Sequence, residues 1–272
     1  MSKGDWPVQN DSIQKTIFVA VALCLVCSLF VSLTAVSLHD IQKENKRLDK
    51  VKNILIAGGL YDPSVDVQSV YENKVVPLLI ELDTGQILNT EAYPDGIDID
   101  TYDLKKMAVD PTFGRSVDSD RDIANIRNRP KYIFVYKVME NDKLQRIILP
   151  IYGYGLWSTL YGFVSLGNDL QSIQGITFYE HGETPGLGGE VDNARWKGLW
   201  PGKQAFDDAG NVAISVIKGQ VNPKSVKAKY QVDGLSGATI TTRGLDNMLK
   251  YWLGNEGYGR FLNTLKQGGV RG

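Results

Sequence analysis

Asp233-Gly-Leu-Ser-Gly-Ala-Thr-Ile-Thr-Thr242 is a turn of small residues that runs directly into an amphipathic helix. Past Thr242 the apolar residues fall at Leu245, Met248, Leu249, Trp252 and Leu253, the spacing of a helix that buries one face. Thr241 or Thr242 is the expected N-cap, Asp246 lies near the expected first turn, and Gly254 is placed to end the helix. Gly234 and Gly237 permit left-handed backbone, and Ala238 is small enough to let a flat ligand approach. Free N–H groups and the dipole at the helix start favour an anion, so the stretch suits a phosphate. Taken alone, it better describes a capped helix after a tight turn, since caps far outnumber phosphate sites.

From about residue 60 onward the pattern is that of one α+β domain. Val75–Leu82 and Gln86–Thr90 are expected to pair around Asp83-Thr-Gly85. Lys131–Met139 and Gln145–Tyr152 flank the turn Glu140-Asn-Asp-Lys143, a second hairpin signal. Further strands are expected at Leu160–Ser165, Ile173–Tyr179 and Val212–Ile217. The polar segment Asp110–Pro130 is expected to be an excursion over the surface.

Ahead of the domain, Thr16 to Leu38 is a run of 23 residues without a charge. As a helix it is about 34 Å long, enough to cross a hydrocarbon core of about 30 Å. A secretory signal has a shorter apolar region, so the run is expected to stay as a single uncleaved span. The resulting division is a tail over residues 1–15, a span over 16–38, a juxtamembrane helix over 39–59 and a globular domain over 60–272. Lys3 and Lys15 precede the span, whereas Lys43, Lys46, Arg47, Lys50 and Lys52 follow it. By the positive-inside count, that distribution favours a cytoplasmic domain.

Composition removes several classes of function. The net charge is −1, with 30 basic and 31 acidic residues and no long basic run, so no nucleic-acid partner is expected. Both cysteines, Cys24 and Cys27, lie in the apolar span, where packing explains them. Two histidines, His39 and His181, leave little material for a metal site or a Ser-His-Asp triad. Asp118-Ser-Asp-Arg-Asp122 has the alternating acids of a calcium loop but carries Ile123 and Arg129 where such a loop needs Gly and Glu. Gly198-Leu-Trp-Pro-Gly-Lys203 lacks the spacing of a P-loop, and Gly153-Tyr-Gly155 lacks the third glycine of a dinucleotide fingerprint.

Two other segments gain meaning beside the threonine turn. His181-Gly-Glu-Thr-Pro-Gly-Leu-Gly-Gly189 is a glycine-rich loop after a strand, and Leu149-Pro-Ile-Tyr-Gly-Tyr-Gly-Leu-Trp157-Ser158 places aromatics past a strand end. With Trp196-Lys-Gly-Leu-Trp-Pro-Gly-Lys203 and Ser236-Gly-Ala-Thr239, they resemble the NqrC family, a flavin-carrying component of the sodium-translocating NADH:quinone reductase. The resemblance covers nearly the whole chain. The Ser-Gly-Ala-Thr turn is shared more widely among FMN-binding domains, including the corresponding flavin carrier of the related Rnf complex.

The resemblance implies one N-terminal span followed by a mixed α+β FMN-binding domain, with the binding region over about residues 131–254. It implies FMN esterified through its phosphate to Thr239 by a separate flavin transferase. Ser236, Gly237, Ala238 and Thr242 would surround the attachment, and Trp157, Glu183, Thr184, Leu187 and Gly188 would line the ring. Lys203 or Arg243 would offset the phosphate charge. The implied role is to pass electrons between an iron–sulfur centre and a second flavin subunit, within an assembly that oxidises NADH, reduces ubiquinone and exports sodium. It also implies an inner-membrane protein with a periplasmic domain, against the charge count. An Rnf-type flavin carrier and a non-redox, membrane-anchored scaffold are the alternatives.

Overall fold

The computed structural model describes residues 12–268. Lys3 and the first part of the expected tail lie outside the described residues. Helix α1 runs over Ile13–Ala57, and the chain divides within it into two units, Met1–Arg47 and Leu48–Gly272.

Among the described residues of the first unit, one helix is long and apolar enough to cross a membrane. Three of its hydroxyls bond within the helix. Ser28, Thr34 and Ser37 donate to the carbonyls of Leu25, Phe30 and Thr34 at 2.9, 2.8 and 3.0 Å. Such bonds remove the cost of an unpaired donor in hydrocarbon.

In the second unit, α2 (Val67–Lys74) leads into strand β1 (Val75–Glu81) and the short β2 (Ile87–Leu88). Helix α3 (Leu104–Val109) and the pair β3 (Gly114–Ser116) and β4 (Asn128–Pro130) follow. Four long strands come next: β5 (Tyr132–Glu140), β6 (Lys143–Tyr154), β7 (Thr159–Gly167) and β8 (Ile173–Glu180). The chain ends with α4 (Ala194–Lys197), β9 (Ser215–Val216), β10 (Gln231–Val232), α5 (Thr239–Leu253) and α6 (Gly259–Gln267).

One antiparallel sheet in the order β2-β1-β5-β6-β7-β8 organises the domain. Alternate residues feed two separate cores. Ile133, Val135, Ile147, Leu149, Ile151 and Val164 face one side with Leu245, Met248 and Leu249 of α5 and Phe261 of α6. Phe134, Tyr136, Val138, Ile148 and Phe163 face the other with Ile54 and Leu55 from the end of α1. Because both faces are covered, the strands are nearly continuous apolar runs. The β5–β6 turn places Asn141 and Asp142 at φ 50° and 59°, the mirror-image turn that suits strand twist.

Three expectations are corrected. Gln86–Thr90 forms only the two-residue β2 before a tight helical turn at Thr90–Ala92. Val212–Ile217 shrinks to β9, which pairs in parallel with β10. Segment 110–130 is more than a surface excursion, since it contains β3 and β4 and buries Ala124 and Arg129. The Arg129 guanidinium donates to Asp83 at 2.5 Å, a charge pairing that its polar composition concealed.

Candidate functional site

Strand β6 outruns β5. Their pairing ends at Tyr136–Ile148, while β6 continues beside β7 to Tyr154. Carbonyls left open on that stretch are taken by the covering helices: Trp252 Nε1 donates to the Tyr152 carbonyl and Tyr258 Oη to the Pro150 carbonyl, each at 2.6 Å. Pro150 lacks an N–H, and it lies where β6 has no β5 partner that needs one. Close approach of α5 to β6 depends on two glycines. A β-carbon at Gly153 would meet Met248 at 2.8 Å, and one at Gly244 would drive into the Tyr154 carbonyl. These contacts fix the start of α5 beside the end of β6.

Helix α5 begins at Thr239, three residues earlier than expected, and Thr241 and Thr242 are not its caps. Gly237 at φ 71° reverses the chain, and Ala238, in the N-cap position, offers no side-chain acceptor. Thr242 N–H makes a helical bond to the Ala238 carbonyl at 2.9 Å. The amides of Thr239, Ile240 and Thr241 precede that bond and have no side-chain cap, an arrangement that suits an anion. The Thr242 hydroxyl instead accepts from the Leu235 amide at 3.0 Å, which ties the turn to the helix.

Glu183 lies at the centre of the neighbouring loops and is 5 % exposed. Its Oε1 accepts from the amides of Leu156, Trp157 and Ser158 at 3.1, 2.9 and 3.2 Å. Its Oε2 accepts from the Thr241 hydroxyl at 2.6 Å. Burial raises its carboxyl pKa, but the Thr241 hydroxyl and the three amides outweigh that, so the carboxyl sits below its ordinary value and is ionised at neutral pH. Two motif glycines make room for it: a β-carbon at Gly155 would lie 2.6 Å from Oε1, and one at Gly188 would lie 2.6 Å from Oε2. The Glu183 amide donates to His181 Nδ1 at 3.2 Å. The ring proton therefore belongs on Nε2, which donates to Asp192 at 2.9 Å.

The carboxylate thus binds together the 155–158 turn, the 181–189 loop and the first turn of α5. Each of these elements presents an exposed apolar side chain: Trp157 at 66 %, Leu187 at 43 % and Ile240 at 55 %. Leu187 also closes on the turn, since a β-carbon at Gly237 would meet its Cδ2 at 2.8 Å. Thr184 is exposed, and its carbonyl accepts the amides of Leu187 and Gly189. Ser236, Gly237 and Thr239 are exposed, whereas Ala238, Thr242 and Gly188 are buried.

Of the two cations considered for a phosphate, Lys203 donates to the Ala228 carbonyl at 2.8 Å. Arg243 is exposed and lies four residues after Thr239, on the same side of α5. Sequence reasoning missed Thr241 as the partner of Glu183, Ser158 as the acceptor for the Gly182 amide at 2.6 Å, and the crossing glycine Gly244. The repeated Gly beside Leu-Trp-Ser and beside Pro-Gly-Leu was the available signal for the buried carboxylate. No local pattern marked Thr241, whose partner is 58 residues away. Among the described residues, no cluster of His, Cys, Asp or Glu suits a metal ion.

Residues 155–254 match the model of the FMN-binding domain family. The NqrC component of the Na(+)-translocating NADH-quinone reductase of Pseudomonas aeruginosa is 45% identical over 262 residues, which cover 95% of this chain and 98% of that protein. Its counterpart from Yersinia pestis is 41% identical over 271 residues, covering 98% of each. The crystal structure of Shewanella oneidensis NqrC superposes with a TM-score of 0.72 at 35% identity, over 82% of this chain and 99% of that one. That of the equivalent protein from Parabacteroides distasonis gives 0.59 at 28% identity, over 83% and 96%.

Proposed function

The chain belongs to the NqrC family of Na(+)-translocating NADH-quinone reductase subunits and carries an FMN-binding domain, and from that premise we propose that it holds FMN covalently on Thr239. The observation that carries the reading is an exposed hydroxyl on the first residue of a 15-residue helix whose leading amides lack a side-chain cap. Attachment is displacement at phosphorus. Thr239 Oγ1 loses its proton and bonds to the FMN phosphorus, and the bond from phosphorus to the leaving group of an activated flavin nucleotide breaks. A separate flavin transferase, as the family resemblance implies, catalyses it and takes up that proton. The product would carry one negative charge, which the uncapped amides and Arg243 are suited to offset.

FMN, when bound, supplies the redox chemistry, and this chain supplies position and electrostatics. Ser236, Gly237 and Ala238 form the phosphate turn, with Thr242 holding its geometry through Leu235. Trp157, Thr184, Leu187 and Gly188 would line the ring, to which the exposed indole and isobutyl groups would offer apolar contact. A covalent link suits a carrier that relays electrons between an iron–sulfur centre and a second flavin subunit, since the flavin stays with the chain through every turnover. Following the family resemblance, we assign the domain to the periplasm and α1 to the inner membrane despite the lysines after the span, since the charge rule is weakest for long translocated domains.

The test is denaturing electrophoresis of the protein expressed with its flavin transferase. Yellow-green flavin fluorescence should travel with the wild-type polypeptide and vanish in Thr239→Ala. Fluorescence persisting undiminished in that variant would sink the attachment claim.

A further inference from the structure

Glu183 has two properties that ordinary loop-stapling does not require. It is nearly inaccessible to solvent, and among the described residues it makes no ion pair. Every partner of its carboxylate is a dipole: three amides of one turn and one hydroxyl of α5. Dipoles stabilise a charge without cancelling it, so a full negative charge remains at the junction of three elements. Those elements are the ones that carry Trp157, Leu187 and Thr239.

We propose that Glu183 is the positioning residue of the flavin site and that its uncompensated charge holds the flavin at a lower reduction potential than a neutral residue would. Positioning follows from connectivity. The phosphate end of the ligand hangs from α5, the ring rests on the 155–158 and 181–189 loops, and the Glu183 carboxylate is the bond between them. The effect on potential follows from sign: an electron entering the ring meets a fixed negative charge screened by little water. The inference depends on the covalent-flavin reading, and the two fail differently. If that reading is wrong, wild-type protein carries no polypeptide-bound flavin at all.

Two substitutions separate charge from connection. In Glu183→Gln the amide oxygen still accepts the three backbone N–H groups, and its NH2 donates to Thr241 Oγ1, so the staple survives without the charge. Thr241→Val keeps the charge and removes the tie to α5. Both are prepared as flavin-loaded full-length protein in detergent, and potentials are measured by spectroelectrochemistry.

Glu183→Gln should keep flavin loading within about two-fold of wild type and move the midpoint potential to a more positive value. An unchanged potential in the loaded Glu183→Gln protein overturns the electrostatic claim. Thr241→Val should leave the flavin more open to iodide quenching and lower its fluorescence anisotropy, with no positive shift in potential. Quenching and anisotropy equal to wild type in that variant overturn the positioning claim, and this result stands even if Glu183→Gln does not fold.

Discussion

The indole N–H of Trp252 donates to the main-chain carbonyl of Tyr152 at 2.6 Å, joining α5 to the part of β6 that has no β5 neighbour. Trp252 is fully buried, so water cannot replace the bond if it is lost. Trp252→Phe keeps most of the ring packing and leaves a buried acceptor unpaired, at a cost of about 1–3 kcal/mol. Urea unfolding of the loaded protein should show a lower midpoint with an unchanged slope. A midpoint equal to wild type would show that the carbonyl finds another donor.

Thr239 lies at the opposite end of the same helix and is exposed. Thr239→Ala should therefore abolish polypeptide-bound fluorescence while changing stability by no more than about 0.5 kcal/mol. Thr239→Ser keeps a hydroxyl on the same helical position and should retain part of the fluorescence. A large loss of melting temperature in flavin-free Thr239→Ala, compared with flavin-free wild type, would mean that the residue is structural.

Legibility in the sequence followed the range of the interactions. Strands β5 to β8 stood out because two cores bury alternate residues on both faces, which leaves long apolar runs. The Asn141-Asp142 turn was visible because few residues accept positive φ so readily. The start of α5 was misplaced by three residues because the hydroxyls that resemble caps are engaged elsewhere: Thr242 with Leu235, and Thr241 with Glu183. The sequence placed Glu183 in the right loop. Its carboxylate is nonetheless committed to amides 25 to 27 residues earlier, a distance no local pattern spans.

Acid should weaken the fold as Glu183 and Asp83 take up protons. Burial raises Glu183 and Asp83, and their hydrogen bonds lower both by more, Thr241 acting on the first and Arg129 with Arg115 on the second. With folded pKa values below the unfolded ones, the unfolded chain binds more protons in the interval between them. Their stabilisation is complete above the ordinary carboxylate range of roughly 4 and is lost as pH falls through the depressed folded values. Unfolding free energy followed downward from about pH 6 should fall more steeply for wild type than for Glu183→Gln. Parallel slopes would exclude Glu183 as a contributor.

Topology has a direct readout. With the domain in the periplasm, protease added to sealed right-side-out vesicles should digest it, and protease added to inverted vesicles should leave it intact. The reverse pattern would restore the placement favoured by Lys43, Lys46, Arg47, Lys50 and Lys52.

Gly188 supplies the sharpest test of the loop junction, because its α-carbon faces both partners of the buried bond. A β-carbon there would lie 2.6 Å from Glu183 Oε2 and 2.7 Å from Thr241 Oγ1. Its φ is outside the left-handed region, so Gly188→Ala acts by crowding rather than by backbone strain. The substitution should push the hydroxyl off the carboxylate and destabilise by about 1–3 kcal/mol. Thr241→Val removes the same bond by another route, so the double variant should lose less than the two single losses added together. A coupling of at least about 0.5 kcal/mol in this cycle is the expected result. Strict additivity would mean that Gly188 crowds something other than the Glu183–Thr241 contact.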